Sequence, residues 1–200
     1  MSKKLVFIAV FGLFLAVPAL GSDWPQWRGP GRVGIWPEKG IIRKFEAPRL
    51  NIRWRAKIAN GYSGPTVSCG RVYVTDRVTT PTPTERVHCF DAMTGNKIWS
   101  HEYECKYEKI EHKNGPRASV TIDENRAYSL GTMGHFYCFD AVMGDVFWSR
   151  DLNAEYAIKM PIWGISACPI VENNLVIAHI GGNENASIVA FDKATGKEKW

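Results

Sequence analysis

The sequence predicts an all-β chain, a β-propeller of four-stranded antiparallel blades. Two observations predict it. A block ending in Trp occurs three times at near-constant spacing, and each copy follows short β-rich runs that open on turn-forming residues.

The blocks are Cys89 to Trp99 (Cys-Phe-Asp-Ala-Met-Thr-Gly-Asn-Lys-Ile-Trp), Cys138 to Trp148 (Cys-Phe-Asp-Ala-Val-Met-Gly-Asp-Val-Phe-Trp) and Ala190 to Trp200 (Ala-Phe-Asp-Lys-Ala-Thr-Gly-Lys-Glu-Lys-Trp). In each, Gly follows Asp by four positions and Trp follows Asp by eight. The step from Trp99 to Trp148 is 49 residues and that from Trp148 to Trp200 is 52. Upstream, the runs beginning at Gly70, Asn125 and Asn174 correspond to one another, and shorter runs around Val67, Val120 and Ile170 precede them. Each unit therefore holds four short strands.

The motif has a local physical logic. Phe90, Phe139 and Phe191 belong to the third strand and are expected to point into the blade core. Asp91, Asp140 and Asp192 open the hairpin turn, where a short carboxylate accepts backbone N–H bonds. Gly95, Gly144 and Gly196 supply the positive φ that the turn requires. Trp99, Trp148 and Trp200 lie on the outer strand, with rings large enough to wedge between neighbouring blades. These residues are structural, and none of the Asp residues is read as catalytic.

The N-terminus carries Lys3 and Lys4, an uncharged apolar stretch from Leu5 to Val17, and small residues at Ala19-Leu20-Gly21. That is the pattern of a signal peptide over residues 1–21, which predicts a periplasmic or secreted protein with no membrane span after its removal. The formal charge of +5 falls to +3 once Lys3 and Lys4 are removed, and it is evenly spread, which excludes a nucleic-acid footprint. The five cysteines are odd in number with no close pair, and are read as free, buried, small apolar residues. Neither Cys nor His shows metal-site spacing.

Ala92-Met93-Thr94-Gly95-Asn96-Lys97-Ile98-Trp99 resembles the pyrroloquinoline-quinone-like (PQQ-like) repeat, Ala-x-Thr-Gly-x-x-x-Trp. The second copy departs at Met143 and the third at Lys193. The stretch from Asp23 to Arg32 is similar to the start of exported bacterial PQQ-like propeller proteins. The resemblance implies an eight-bladed ring closed by a shared blade. Trp54, 45 residues before Trp99, then marks an outer strand at 51–58 belonging to the last blade. The expected organisation is a signal peptide at 1–21, an extension at 22–50 and a partial propeller at 51–200, with blades at 64–100, 115–150 and 164–200. Three blades cannot close a ring, so the chain is expected to be a fragment of a protein of about 400 residues.

Relatives with this repeat divide by function. Quinoprotein alcohol and sugar dehydrogenases bind PQQ with calcium, and many alcohol-type members use adjacent cysteines, which this sequence lacks. The propeller of the outer-membrane barrel-assembly machinery binds a partner instead. No catalytic, cofactor or metal residue carries over from either. The reading is therefore an exported binding scaffold for a protein, small-molecule or glycan ligand, with a PQQ-dependent dehydrogenase as the alternative. Inter-blade loops supply the candidate surface: 103–117, ending at Arg117, and 155–164, holding Trp163. His135 leads into a third strand.

Overall fold

The computed structural model describes residues 21–45, 50–183 and 185–200; apart from Gly21, the expected signal peptide lies outside them. Two sheets have four antiparallel strands each: β1 (Thr66–Ser68), β2 (Arg71–Val78), β3 (Thr84–Asp91) and β4 (Lys97–Glu104), then β5 (Thr121–Asp123), β6 (Arg126–Leu130), β7 (His135–Asp140) and β8 (Val146–Asp151). A short helix α1 (Leu152–Tyr156) follows, with Asp151 accepting from the Ala154 N–H at 3.1 Å. The third sheet contains β9 (Ile170–Glu172), β10 (Leu175–His179) and β11 (Ile188–Asp192). Its fourth strand is marked by the Phe191–Glu198 bridge and by paired bonds between Ala190 and residues 199–200. Each sheet is a meander, so neighbours in sequence are neighbours in space.

Register places the motif. In blade one a cross-strand row runs Thr66, Tyr73, Cys89, Trp99; in blade two it runs Thr121, Tyr128, Cys138, Trp148. Because side chains alternate along a strand, Phe90 and Phe139, one residue past the Cys, occupy the opposite face. A single sheet has no interior, so the apolar core forms between blades. One cluster joins Tyr73, Val87, Cys89 and Trp99 to Val120, Ile122, Ala127 and Phe139. The other joins Tyr128, Phe136, Cys138 and Trp148 to Val176, Val189 and Phe191. Phe139 thus reaches across to the preceding blade, with its ring 5.6 Å from that of Trp99. The expected burial within its own blade becomes burial between blades.

A polar lock repeats with the same spacing. Tyr73 Oη and Trp99 Nε1 both donate to the Ala141 carbonyl, at 3.0 and 3.2 Å; Tyr128 Oη and Trp148 Nε1 do the same to Lys193, again at 3.0 and 3.2 Å. A carbonyl has two lone pairs and satisfies both donors. Nearer the axis, Thr66 and Thr121 hydroxyls donate to the carbonyls of Val120 and Pro169, at 2.6 and 2.7 Å. Trp54 donates to Ala92 O at 2.9 Å, so it takes the same position relative to blade one, although among the described residues 51–58 form no strand ladder. In blade three the row is Ile170, Ile177 and Ala190, leading to Trp200. Trp99 and Trp148 are 8% and 9% exposed, whereas Trp200 is 58% exposed.

The turns follow the sequence logic. Asp91 Oδ1 accepts from Met93 N, Thr94 N and Thr94 Oγ1; Asp192 Oδ1 accepts from Ala194 N, Thr195 N and Thr195 Oγ1. In the copy with Met143 the hydroxyl is missing, and Asn125 Nδ2 donates to Asp140 at 2.9 Å instead. Gly95, Gly144 and Gly196 have φ of 73°, 82° and 70°, and each lies against the Trp ring of the preceding blade.

The N-terminal extension does not trail away. Trp24 pairs with Val67, Pro25 O accepts from Ile122 N at 2.8 Å, and Arg32 Nη2 donates to Pro169 O at 2.9 Å. The segment therefore crosses the inner edges of all three blades. Among the described residues no helix is long and apolar enough to cross a membrane.

Candidate binding site

The two inter-blade loops meet on the face opposite the Asp-Gly turns, and a buried acid fixes the first of them. Glu85, on β3, is fully buried. A carboxylate without partners there would cost several kcal/mol, on the order of its lost hydration. Its oxygens instead accept from Tyr103 Oη at 2.6 Å, from Tyr107 Oη and from Thr132 N at 3.2 Å. Burial, followed by the Glu85 charge, pushes both phenols well above the ordinary tyrosine range, so they stay neutral donors. Arg77, the register partner of Glu85, lies 4.0 Å over the Tyr107 ring and donates to Lys113 O at 2.9 Å.

Arg117 completes the anchoring. Its guanidinium donates to the carbonyls of Glu111, His112 and Gly115, which holds the loop in a tight bend. The second loop is tied to the first, since Glu111 N donates to Ile162 O at 2.7 Å, and its end is held to the turn between β6 and β7, where Ile165 N donates to Thr132 O at 2.9 Å. The Trp163 indole stacks on the His112 imidazole, with centroids 4.4 Å apart and planes 13° apart.

The structure brings Arg117 and Trp163 together. With Tyr62, His112 and Ser166 they line a cavity of about 240 Å³. Tyr62, Arg117 and Ser166 also form part of a larger groove of about 610 Å³ that includes Trp27, Arg32 and Cys168. His135 is not part of either lining; its Nδ1 sits 3.8 Å from Cys105 Sγ, and its ring lies 5.0 Å from Tyr103. Sequence reasoning missed Tyr62, Ser166 and Trp27. Tyr62 and Ser166 fall just before inner strands, in segments matching the Gly-Pro-Arg that ends at Arg117, and Tyr62 N donates to Pro116 O at 2.7 Å. That alignment of pre-strand segments was the available signal.

The calcium-quinone chemistry implied by the repeat needs convergent carboxylates and carbonyls. Among the described residues no group of three His, Cys, Asp or Glu converges to hold a metal. All five cysteines are free, with Cys89, Cys105 and Cys138 buried.

In fold the chain is similar to three dehydrogenase structures. A quinohemoprotein alcohol dehydrogenase from Comamonas testosteroni is 26% identical, with a TM-score of 0.52 over 71% of this chain and 21% of that one. The quinohemoprotein alcohol dehydrogenase ADHIIG of Pseudomonas putida HK5 is 25% identical, with a TM-score of 0.50 over 74% and 21%. A europium-containing methanol dehydrogenase shares the fold at 17% identity and a TM-score of 0.52, over 76% and 26%. The chain thus spans about a fifth to a quarter of the length of these enzymes. No curated protein matches it. The profile of the PQQ_2 family, described as outer membrane protein assembly factor BamB, matches residues 83–200, more than half of the chain and all of blades two and three. With its three locked antiparallel blades, the chain belongs to this PQQ-like β-propeller family.

Proposed function

We propose that the chain belongs to an exported propeller that acts as a binding scaffold, with the inter-blade-loop face as its contact surface. The observation that carries this reading is the convergence of half-exposed aromatic rings, Tyr62 and Trp163, on loops held by Glu85, Arg77 and Arg117. Rigid aromatics with an adjacent Arg are the residue types that carry binding energy at interfaces. Export is inferred from the N-terminal pattern. The propeller is taken as residues 51–200, with 51–58 as the closing strand, which the position of Trp54 supports. A second reading, a PQQ-dependent dehydrogenase, is favoured by the 26% identity to a quinohemoprotein alcohol dehydrogenase.

Calorimetric titration of PQQ with calcium into the full-length natural protein separates the two. Saturable one-to-one binding overturns the scaffold reading. Absence of heat, together with site-specific photo-crosslinking to a ligand from Tyr62 but not from a position on the Asp-Gly turn face, supports it.

A further inference from the structure

The N-terminal segment contributes to the groove on the loop face, and its placement is built rather than incidental. Asp23 accepts from Ser68 Oγ at 3.1 Å and Cys69 N at 3.0 Å, Trp24 pairs with Val67, and Pro25 bonds Ile122. Arg32 closes the hook, with Nε donating to Gln26 Oε1 at 3.1 Å and Nη2 to Pro169 O at 2.9 Å. Fixed at both ends, the hook presents Trp27 to the groove that Tyr62, Arg117 and Ser166 share with the Trp163 cavity. Trp27, Tyr62 and Trp163 are 56%, 49% and 53% exposed.

We infer that this groove binds an acidic glycan, a run of sugar rings bearing carboxylate or sulfate groups. The inference rests on the proposed contact role of the loop face and names its ligand. Three aromatic rings, each held by backbone anchoring or stacking, offer negatively polarised faces along one continuous surface. The C–H faces of sugar rings are weakly positive and flat, and they match such platforms. Rigid aromatics also present this area at low entropic cost.

The charge of the groove selects among sugars. Its walls hold Arg32 and Arg117, and among the described residues no carboxylate lines either part. Arg32 uses two of its five N–H donors on Gln26 and Pro169, which leaves the rest for an anion. A neutral glycan offers those donors only hydroxyl and ether oxygens, without the charge assistance that a carboxylate or sulfate supplies. The apolar far wall, Ile170, Ile177 and Ile188, is the outward side of blade three, equivalent to surfaces covered by the next blade in blades one and two; the site is confined to the loop-side wall.

The test is calorimetry on the full-length natural protein with three trisaccharides of equal length, one uronate, one sulfated and one neutral, with citrate and an acidic tripeptide as charge controls. Saturable binding of an acidic trisaccharide is expected, with the neutral one about ten-fold weaker or more, and the two acidic arms distinguish carboxylate from sulfate. Trp27→Ala and Trp163→Ala should each weaken binding by a similar factor with unchanged melting midpoints, because both rings are half exposed. Equal binding of the neutral trisaccharide, citrate binding as tightly as the sugars, or no sugar binding at all overturns the inference. Tripeptide binding that depends on Trp27, without sugar binding, overturns the glycan but leaves the loop face standing as a contact surface. Absence of any Tyr62 crosslink in the experiment above removes the contact role itself.

Discussion

Gly144→Ala is the substitution that tests the inter-blade lock most directly. Gly144 has φ of 82°, and an added Cβ would sit 2.7 Å from the Trp99 ring. Two costs combine: a left-handed backbone for a residue with a Cβ, about 1–2 kcal/mol, and overpacking against a buried indole, about 1–3 kcal/mol. Together they give about 2–5 kcal/mol. Gly70→Ala is the matched control. Gly70 has φ of 71°, and nothing lies within 4 Å of its would-be Cβ, so only the backbone cost, about 1–2 kcal/mol, applies. Urea denaturation of the full-length variants, followed by circular dichroism, reads both as midpoint shifts at constant slope. In a double-mutant cycle, Trp99→Ala should relieve the Gly144→Ala clash, with a coupling of about 1–3 kcal/mol. If Gly144→Ala is no worse than Gly70→Ala, or if the cycle is additive, the glycine is kept by its turn alone and the packing argument fails.

Further outcomes follow from the same contacts. Trp99→Ala removes a buried indole and its bond to Ala141 O, and should cost about 3–5 kcal/mol; an unchanged melting curve would refute its interface role. Glu85→Ala removes the shared acceptor of Tyr103 Oη, Tyr107 Oη and Thr132 N, leaving Tyr107 only Thr132 Oγ1 as a partner, and should cost on the order of 3 kcal/mol, with faster amide exchange across residues 105–117; exchange unchanged from the parent would show that the acid does not anchor the loop. Asp76 is buried, a circumstance that by itself raises its pKa, but the His88 ring, the Arg86 guanidinium and the Ala59 N–H outweigh burial and hold the carboxyl well below the usual range. Its contribution is therefore fully present above the unfolded pKa of about 4 and is lost as pH falls towards the folded one, so Asp76→Asn should flatten the acid limb of the stability profile; an identical limb would refute this. In native protein a thiol reagent should label exposed Cys69 quickly, while Cys89, pushed up to about 12 chiefly by burial, and buried Cys138 should react only on unfolding.

The blades were legible in the sequence because each is local. A meander of short strands needs only period-two patterning, a carboxylate to cap a turn and a glycine for its positive φ, and all three recur at fixed offsets from Asp91, Asp140 and Asp192. The sequence alone determined the strand count per repeat, the turns and the positions of Trp99 and Trp148. What the side chains meet was decided by the tertiary structure. Stacking of one sheet on the next sends Phe139 across the interface and brings Tyr73 and Trp99 to one carbonyl more than forty residues away. The groove depended on it still more. Trp27, Tyr62, Arg117 and Trp163 are distant in the chain, and only the hook laid over the inner strands and the loops gathered by Glu85 bring them to one surface, because the hook and the connecting loops, unlike the blade motif, do not repeat in the sequence.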